Sequence, residues 1–424
     1  MRRPVACDIG VVLAILSIAG APAPGDEADA KARRLQSRAI VVDTHVDAPY
    51  VLEKTWADVG ERGATPHFDI PRAREGGLTA PFLAIYVPAS FAEAGGAALK
   101  ALDLIDLTRR VVQSHPDDLA PAASTAEIRQ AKRDGRIAVL MGIEGGHAIE
   151  DSLGALREFH RLGVRYMTLT HTNSNHWADS SGKFYLPDFN PADYQVHHGL
   201  SEFGRAVVRE MNRIGMMVDV SHVSDETIED VLETSRAPVF ASHSSCRALC
   251  DIPRNLTDDQ IKKITARGGV VMINVSSYFI DPAVVDRMRA EREKLLPEYL
   301  KIKQDLASDP KKRDEAITKL FGGIPRPRTS WTKVVDHIEH VLKIAGPQAA
   351  GLGSDFDGIE DPPEGLDDVS KLPVITAELL RRGHSEKVVE GVLGENFLRF
   401  FRRVEEVSRG LAGEPPSIVT IPPG

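Results

Sequence analysis

Short apolar, β-branched runs recur along the chain, at 39–44, 80–87, 137–143, 166–170, 216–220, 238–241, 269–275 and 349–353. Between most of them, apolar residues return at helical spacing, over 97–113, 125–133, 152–161, 200–214, 225–234, 258–266 and 331–345. The runs show little polar alternation, the pattern of strands buried on both faces. Alternating strand-like and helix-like stretches predict βα units around a parallel sheet. Eight such units predict an α/β fold of the (β/α)8 TIM-barrel type, in one domain. The competing arrangement is an open doubly wound sheet. It calls for a Gly-rich phosphate loop after an early strand, and the sequence has none.

Two segments exceed a minimal barrel. Residues 174–198, "SNHWADSSGKFYLPDFNPADYQVHH", form a long polar loop after the fourth run. Residues 279–330 follow the seventh run, are rich in Lys, Arg and Glu, and carry helical patterning broken by "GGIPRPRTS". Both fall on the barrel face that carries active sites, where long loops serve as lids or binding walls. For the charged insertion, a solvated helical hairpin or a subunit contact is the alternative.

The composition narrows the picture. The 424 residues are 42% hydrophobic, enough for a substantial core, and the net charge of −9 argues against a nucleic-acid partner. Arg2 and Arg3 precede "IGVVLAILSIAG" (9–20) and then "APAPG", which reads as a secretory signal peptide over about residues 1–25. The apolar stretch is too short to span a bilayer. The C-terminal "GEPPSIVTIPPG" has no hydrophobic tail. The expectation is an exported protein, periplasmic or secreted, without a stable membrane anchor. Its barrel would span 36–403, followed by a tail over 404–424. Cys246 and Cys250 would remain after cleavage, either bridged or reduced.

Candidate chemistry lies where the runs end, because active sites of this fold sit at the C-terminal ends of the strands. The first run ends in His45 and Asp47, the third in Glu144 and two glycines, the fourth in His171. The fifth ends in His222, the sixth in His243, the eighth in Asp355 and Asp357. Six of eight inferred strands thus deliver a His or a carboxylate to one rim. Imidazoles with carboxylates suit Zn²⁺, and also Mn²⁺ or Co²⁺. Glu144 is the candidate bridge between two ions, with His45 and Asp47 gripping one of them. Asp219 reads as structural, and His147 stays open. His337 and His340, on a helix before the last strand, read as packing residues. His197 and His198, in the long loop, are not assigned to metal.

These residues sit in motifs that resemble the membrane (renal) dipeptidase family: "DTHVD", "GIEGG", "TLTHTNSNHWAD", "DVSH", "SHSS" followed by "PRN", and "GSDFDG" followed by "PEGLDDVSKLP". The resemblance runs from about 36 to about 403 and implies a metalloprotease-type hydrolase, a dipeptidase with two Zn²⁺ per chain. It implies that His45 and Asp47 bind one zinc, that Glu144 bridges both, and that His222 and His243 bind the other. A hydroxide bridging the zinc ions would attack the peptide bond, so Glu144 is counted as catalytic. His171 would contact substrate and steady the tetrahedral intermediate, and Arg254 would hold the terminal carboxylate. Asp355, rather than Asp357, would be the acid/base that meets the substrate. Dipeptides with an L- or a D-residue at the C-terminus are the implied substrates, with β-lactam-like or other amides as the alternative. Homodimers are common in that family. Lactonases and deaminases of the same barrel type are disfavoured, since many bridge their metals with a carbamylated Lys after the fourth strand, where this chain has His171. A binding protein without catalysis would be expected to lack a ligand, and none is missing.

Overall fold

In the computed structural model, which describes residues 24–421, nine strands run parallel. They are β1 (Val42–Val46), β2 (Ala80–Tyr86), β3 (Leu119–Pro121), β4 (Ile137–Glu144), β5 (Val164–Thr168), β6 (Met217–Asp219), β7 (Phe240–Ala241), β8 (Val270–Ile273) and β9 (Ala350–Leu352). Eight form a ring in the order β1-β2-β4-β5-β6-β7-β8-β9. The ring shuts where Val46 pairs with Phe356, with Asp47 N donating to Phe356 O at 2.8 Å and Asp355 N to His45 O at 3.0 Å. This is the (β/α)8 barrel that the sequence predicts. β3 was not anticipated: it pairs with the first residues of β4, Ile137 to Val139, and three residues ending in proline make no apolar run. The expected signal segment lies outside the described residues except for its last positions. No helix among the described residues is long and apolar enough to cross a membrane.

Side chains alternate across a strand, so every second residue faces the barrel interior. On β4 the inward row is Ala138, Leu140, Gly142 and Glu144, apolar below and acidic at the top. Gly142 is required by its neighbour: a Cβ there would meet Tyr166 Cζ at 2.0 Å. Tyr166 therefore crosses the barrel axis beneath the rim. Below it pack Phe82, Phe240 and Met272, and the base is stoppered by Phe397, Phe400 and Phe401 of the last helix, Asn396–Leu411.

The loops that carry the candidate residues are pinned at their far ends. Ser152, Ser201, Ser224 and Thr257 each cap the helix that follows β4, β5, β6 and β7, accepting a backbone N–H of the first turn. Thr257 and Gln260 complete a reciprocal capping box. Above the rim, helices Pro282–Lys294, Leu296–Asp305 and Pro310–Gly322 make the charged insertion, with a small core of Val284, Met288, Tyr299, Phe321 and Ile324. This insertion is not a free hairpin. Leu186 of the long loop packs on its core, and Tyr299 Oη donates to Asp188 Oδ1 at 2.7 Å.

Candidate metal centre and active site

Glu144 ends β4 in the middle of the rim, 4% exposed. Its Oε1 lies 3.0 Å from His222 Nε2 and 3.2 Å from His243 Nε2. Its Oε2 lies 3.5 Å from His45 Nε2, which is in turn 3.3 Å from Asp47 Oδ2. Each oxygen of one carboxylate thus faces its own group of ligand atoms. The pairing of β1 with β2 shifts register between Asp43 and Val46, and Asp47 leaves the strand to open the helix Ala48–Lys54. Two apart in the chain, His45 and Asp47 keep to one face and meet at the rim.

The hydrogen bonds around the imidazoles show what this pocket is built to hold. Tyr166 Oη gives its one proton to Thr44 O at 3.0 Å. It can then only accept from His45 Nδ1, 2.8 Å away, so the ring proton is on Nδ1. His45 Nε2 is thereby the atom turned toward two carboxylates, buried and without a hydrogen-bond partner. The same logic fixes His243. Ser242 Oγ donates to Asp219 Oδ2 at 2.6 Å and accepts from His243 Nδ1 at 2.7 Å. His243 Nε2 then points a lone pair at Glu144 and at His222 Nε2, 3.0 Å away. Lone pairs converging on carboxylates are held together by a cation.

The electrostatics agree. Burial alone would lower the His45 pKa, but the oxygens of Tyr166, Glu144 and Asp47 reverse the shift and hold it well above the usual imidazole value. The pocket demands positive charge at that point. His222 and His243 are pushed well below the usual value, first by burial and then by neighbouring cationic groups including Arg254, so they stand neutral and ready to ligate. Burial pushes Glu144 up, but the surrounding imidazoles, His45 first among them, outweigh it, and the carboxyl stays ionised. The set of three histidines and two carboxylates fits Zn²⁺.

Around this centre stand the remaining candidates. His171 Nε2 is 3.9 Å from Glu144 Oε1, its ring 4.5 Å from that of His222, and burial lowers its pKa to about 4. Asp355 brings a carboxylate oxygen within 4.8 Å of ligand atoms of His45 and His243, and burial followed by Asp47 raises its pKa well above the usual range. Asp357 faces away: it accepts from Thr65 Oγ1 at 2.6 Å and His67 N at 2.7 Å. Arg254 is 3% exposed, gives Nη1 to Ser244 Oγ and Nη2 to His243 O, and keeps Nε unpaired. His147 turns aside, its Nε2 3.3 Å from Pro88 O. His197 meets Asn175 O, and His340 meets Asp258. Cys246 and Cys250 are both free and buried.

Comparison with known proteins bears on the chain as a whole. The profile of the membrane dipeptidase family (peptidase family M19) matches residues 29–414. The chain belongs to this family. It is 35% identical over 391 residues to Dipeptidase 3 of Rattus norvegicus, covering 90% of this chain and 68% of that protein. Its fold is similar to the crystal structure of the probable dipeptidase PvdM from Pseudomonas aeruginosa (TM-score 0.79, 27% identity, 90% of this chain and 99% of that one). It is also similar to a metallopeptidase from Rhodobacter sphaeroides liganded with a phosphinate mimic of the dipeptide L-Ala-D-Ala (TM-score 0.69, 27% identity, 86% and 99%).

For this membrane dipeptidase family member, the rim holds more than the sequence disclosed. The two strands without a His or carboxylate at their ends bring Tyr86 and Asn274 instead. Tyr86 sits edge-on to His171 with ring centroids 4.8 Å apart, and Asn274 Nδ2 donates to Asp355 Oδ2 at 2.9 Å. Tyr166, Ser242 and Asp219 orient the imidazoles from below. The signal for all of them was position: each lies on the inward row of its strand, at or one step below the rim.

Proposed function

We propose that the chain is a zinc dipeptidase with two metal ions per molecule. It would hydrolyse dipeptides that carry a free C-terminal carboxylate and would accept an L- or a D-residue there. The observation that carries this reading is the bisected Glu144 carboxylate, with His45 and Asp47 on one oxygen and His222 and His243 on the other. When bound, the ions would supply Lewis acidity toward the scissile carbonyl and acidify the water that attacks it. Arg254 would receive the terminal carboxylate, since its Nε is buried with no acceptor of its own. His171, neutral and close to Glu144, would stabilise charge developing on the carbonyl oxygen. Asn274 holds Oδ2 of Asp355, which leaves Oδ1 to take the proton from the attacking water and deliver it to the leaving amine. The Rhodobacter relative, seen with a mimic of L-Ala-D-Ala, supports tolerance of a D-residue. Export belongs to the same reading and rests on Arg2, Arg3 and the apolar 9–20 stretch.

The test is hydrolysis of L-Ala-L-Ala, L-Ala-D-Ala, D-Ala-L-Ala and C-terminally amidated L-Ala-L-Ala, followed by ninhydrin, with bound metal counted in parallel. Cleavage of the first two and loss on amidation are expected. Equal cleavage of the amide would remove Arg254 from its role. No cleavage at all by protein carrying two zinc ions would remove the dipeptidase reading.

A further inference from the structure

Three arginines among the described residues are more than nine-tenths buried: Arg72, Arg254 and Arg292. Arg72 is paired with Asp69 at 2.7 Å. The other two have no ion-pair partner among the described residues, and both leave Nε buried without an acceptor. Arg292 leaves Nη1 unpaired as well. The two share a neighbourhood, for Arg254 lies 5.6 Å over Phe279 and Arg292 lies 5.3 Å over the adjacent Tyr278. Arg292 is further enclosed by Tyr185 at 5.4 Å and Phe321 at 5.9 Å. Aromatic rings stabilise the faces of a guanidinium but do not accept from its N–H edge; the Tyr278 hydroxyl meets part of that edge, and Nε and Nη1 stay without an acceptor. That edge is the part that grips a carboxylate in a fork.

The wall around Arg292 leads to the reaction centre. Tyr185 and Tyr278 are partly exposed. The Tyr185 hydroxyl lies beside Thr172, whose Oγ1 is 3.3 Å from His171 Nδ1. We propose that Arg292 is a second carboxylate-recognition point of the substrate chamber, taking the side-chain carboxylate of a dipeptide that ends in Asp or Glu. The proposal rests on the dipeptidase reading above and assigns a specificity role to the helical insertion, which supplies Arg292 from the helix Pro282–Lys294.

The experiment compares kcat/KM for L-Ala-L-Glu and L-Ala-L-Gln, with L-Ala-L-Ala as reference, using the zinc-loaded full chain. The wild type is expected to favour the acidic peptide by roughly tenfold or more, carried in KM, since a charge-assisted hydrogen bond separates the two side chains. In Arg292→Met the ratio of the two is expected to fall toward one, and in Arg292→Lys to take an intermediate value. The ratio is internal to each protein, so a loss of folded enzyme cancels from it. A wild-type ratio at or below one overturns the proposal without any variant, as does a ratio unchanged in Arg292→Met. Cleavage of L-Ala-L-Ala in either case keeps the dipeptidase reading standing. Failure to cleave any of the three peptides overturns that reading and this proposal with it.

Discussion

Single residues at the rim divide into those that would touch the reaction and those that aim others. Tyr166 aims: it fixes the His45 tautomer from beneath and is held upright by the gap at Gly142. Tyr166→Phe keeps the ring and deletes the acceptor. Zinc affinity is expected to drop about 10- to 100-fold for one of two sites, measured by competition with a chelating indicator. An unchanged affinity at both sites would separate Tyr166 from the metal. The two aspartates after β9 are separable in the same way. Asp355→Asn is expected to reduce kcat by about 100-fold or more, as loss of a general acid–base does. Asp357→Asn is expected to lower Tm while leaving kcat within about tenfold, because its bonds go to Thr65 and His67. Steady-state kinetics with thermal melts on both variants decides between them. The sequence could name His45, Glu144 and Asp355, because such residues are anomalous at the end of an apolar run. It could not name Tyr166 or Asn274, since a tyrosine or asparagine in a strand is unremarkable until its neighbour across the barrel is known.

At the scale of elements, the helix Thr332–Ala345 shows how a titratable group can serve architecture. His337 is 1% exposed; its Nδ1 accepts from Cys246 N at 3.0 Å and its Nε2 lies 3.1 Å from Ile280 O. It thereby ties the loop after β7 to the turn after β8, and it can do so only when neutral. Burial lowers its pKa to about 4, against an ordinary value near 6.5. Below pH 6.5 the unfolded chain takes up a proton that the folded chain refuses, so stability falls as pH drops from about 6.5 to about 4. The contribution lost is about 3 kcal/mol. Urea unfolding across that range is expected to show a shallower pH slope in His337→Asn, from a lower starting stability. An identical slope would mean that His337 is not the group. The helices that flank the site were legible because apolar residues return at helical spacing over 152–161, 200–214, 225–234 and 258–266. β3 was missed, since three residues ending in proline carry almost no pattern, whereas β7 falls within the run predicted at 238–241. The last helix was not anticipated: its apolar face is interleaved with "RRVEEVSR", and its target, the open base of the barrel, exists only in three dimensions.

For the whole molecule, the proposed metal centre would link metal binding to folding. Zinc bound in the folded pocket and not in the unfolded chain adds about 2.7 kcal/mol per site at a hundredfold excess over Kd. Removal of zinc with a chelator is therefore expected to lower Tm, and re-addition to restore it; a Tm indifferent to zinc would contradict a metal centre built from these ligands. The insertion and the long loop close over the rim as one body through Tyr299, Lys303 and Asp188. Asp188→Ala is expected to speed limited proteolysis within 282–324 several-fold at unchanged Tm, as local opening becomes easier than global unfolding. Equal cleavage rates would show that the loop does not hold the insertion. The barrel as a class was written in eight apolar runs, whereas this roof was not, because its contacts join segments more than a hundred residues apart. Such distance has one further consequence, for the order of synthesis. A growing chain owns every proposed zinc ligand once His243 has been made, yet the ring stays open until Ala350–Leu352 arrives and Val46 meets Phe356. Possession of the ligands and possession of the pocket are thus separated by about a quarter of the chain, and a nascent fragment carries loose histidines where the finished protein carries a site.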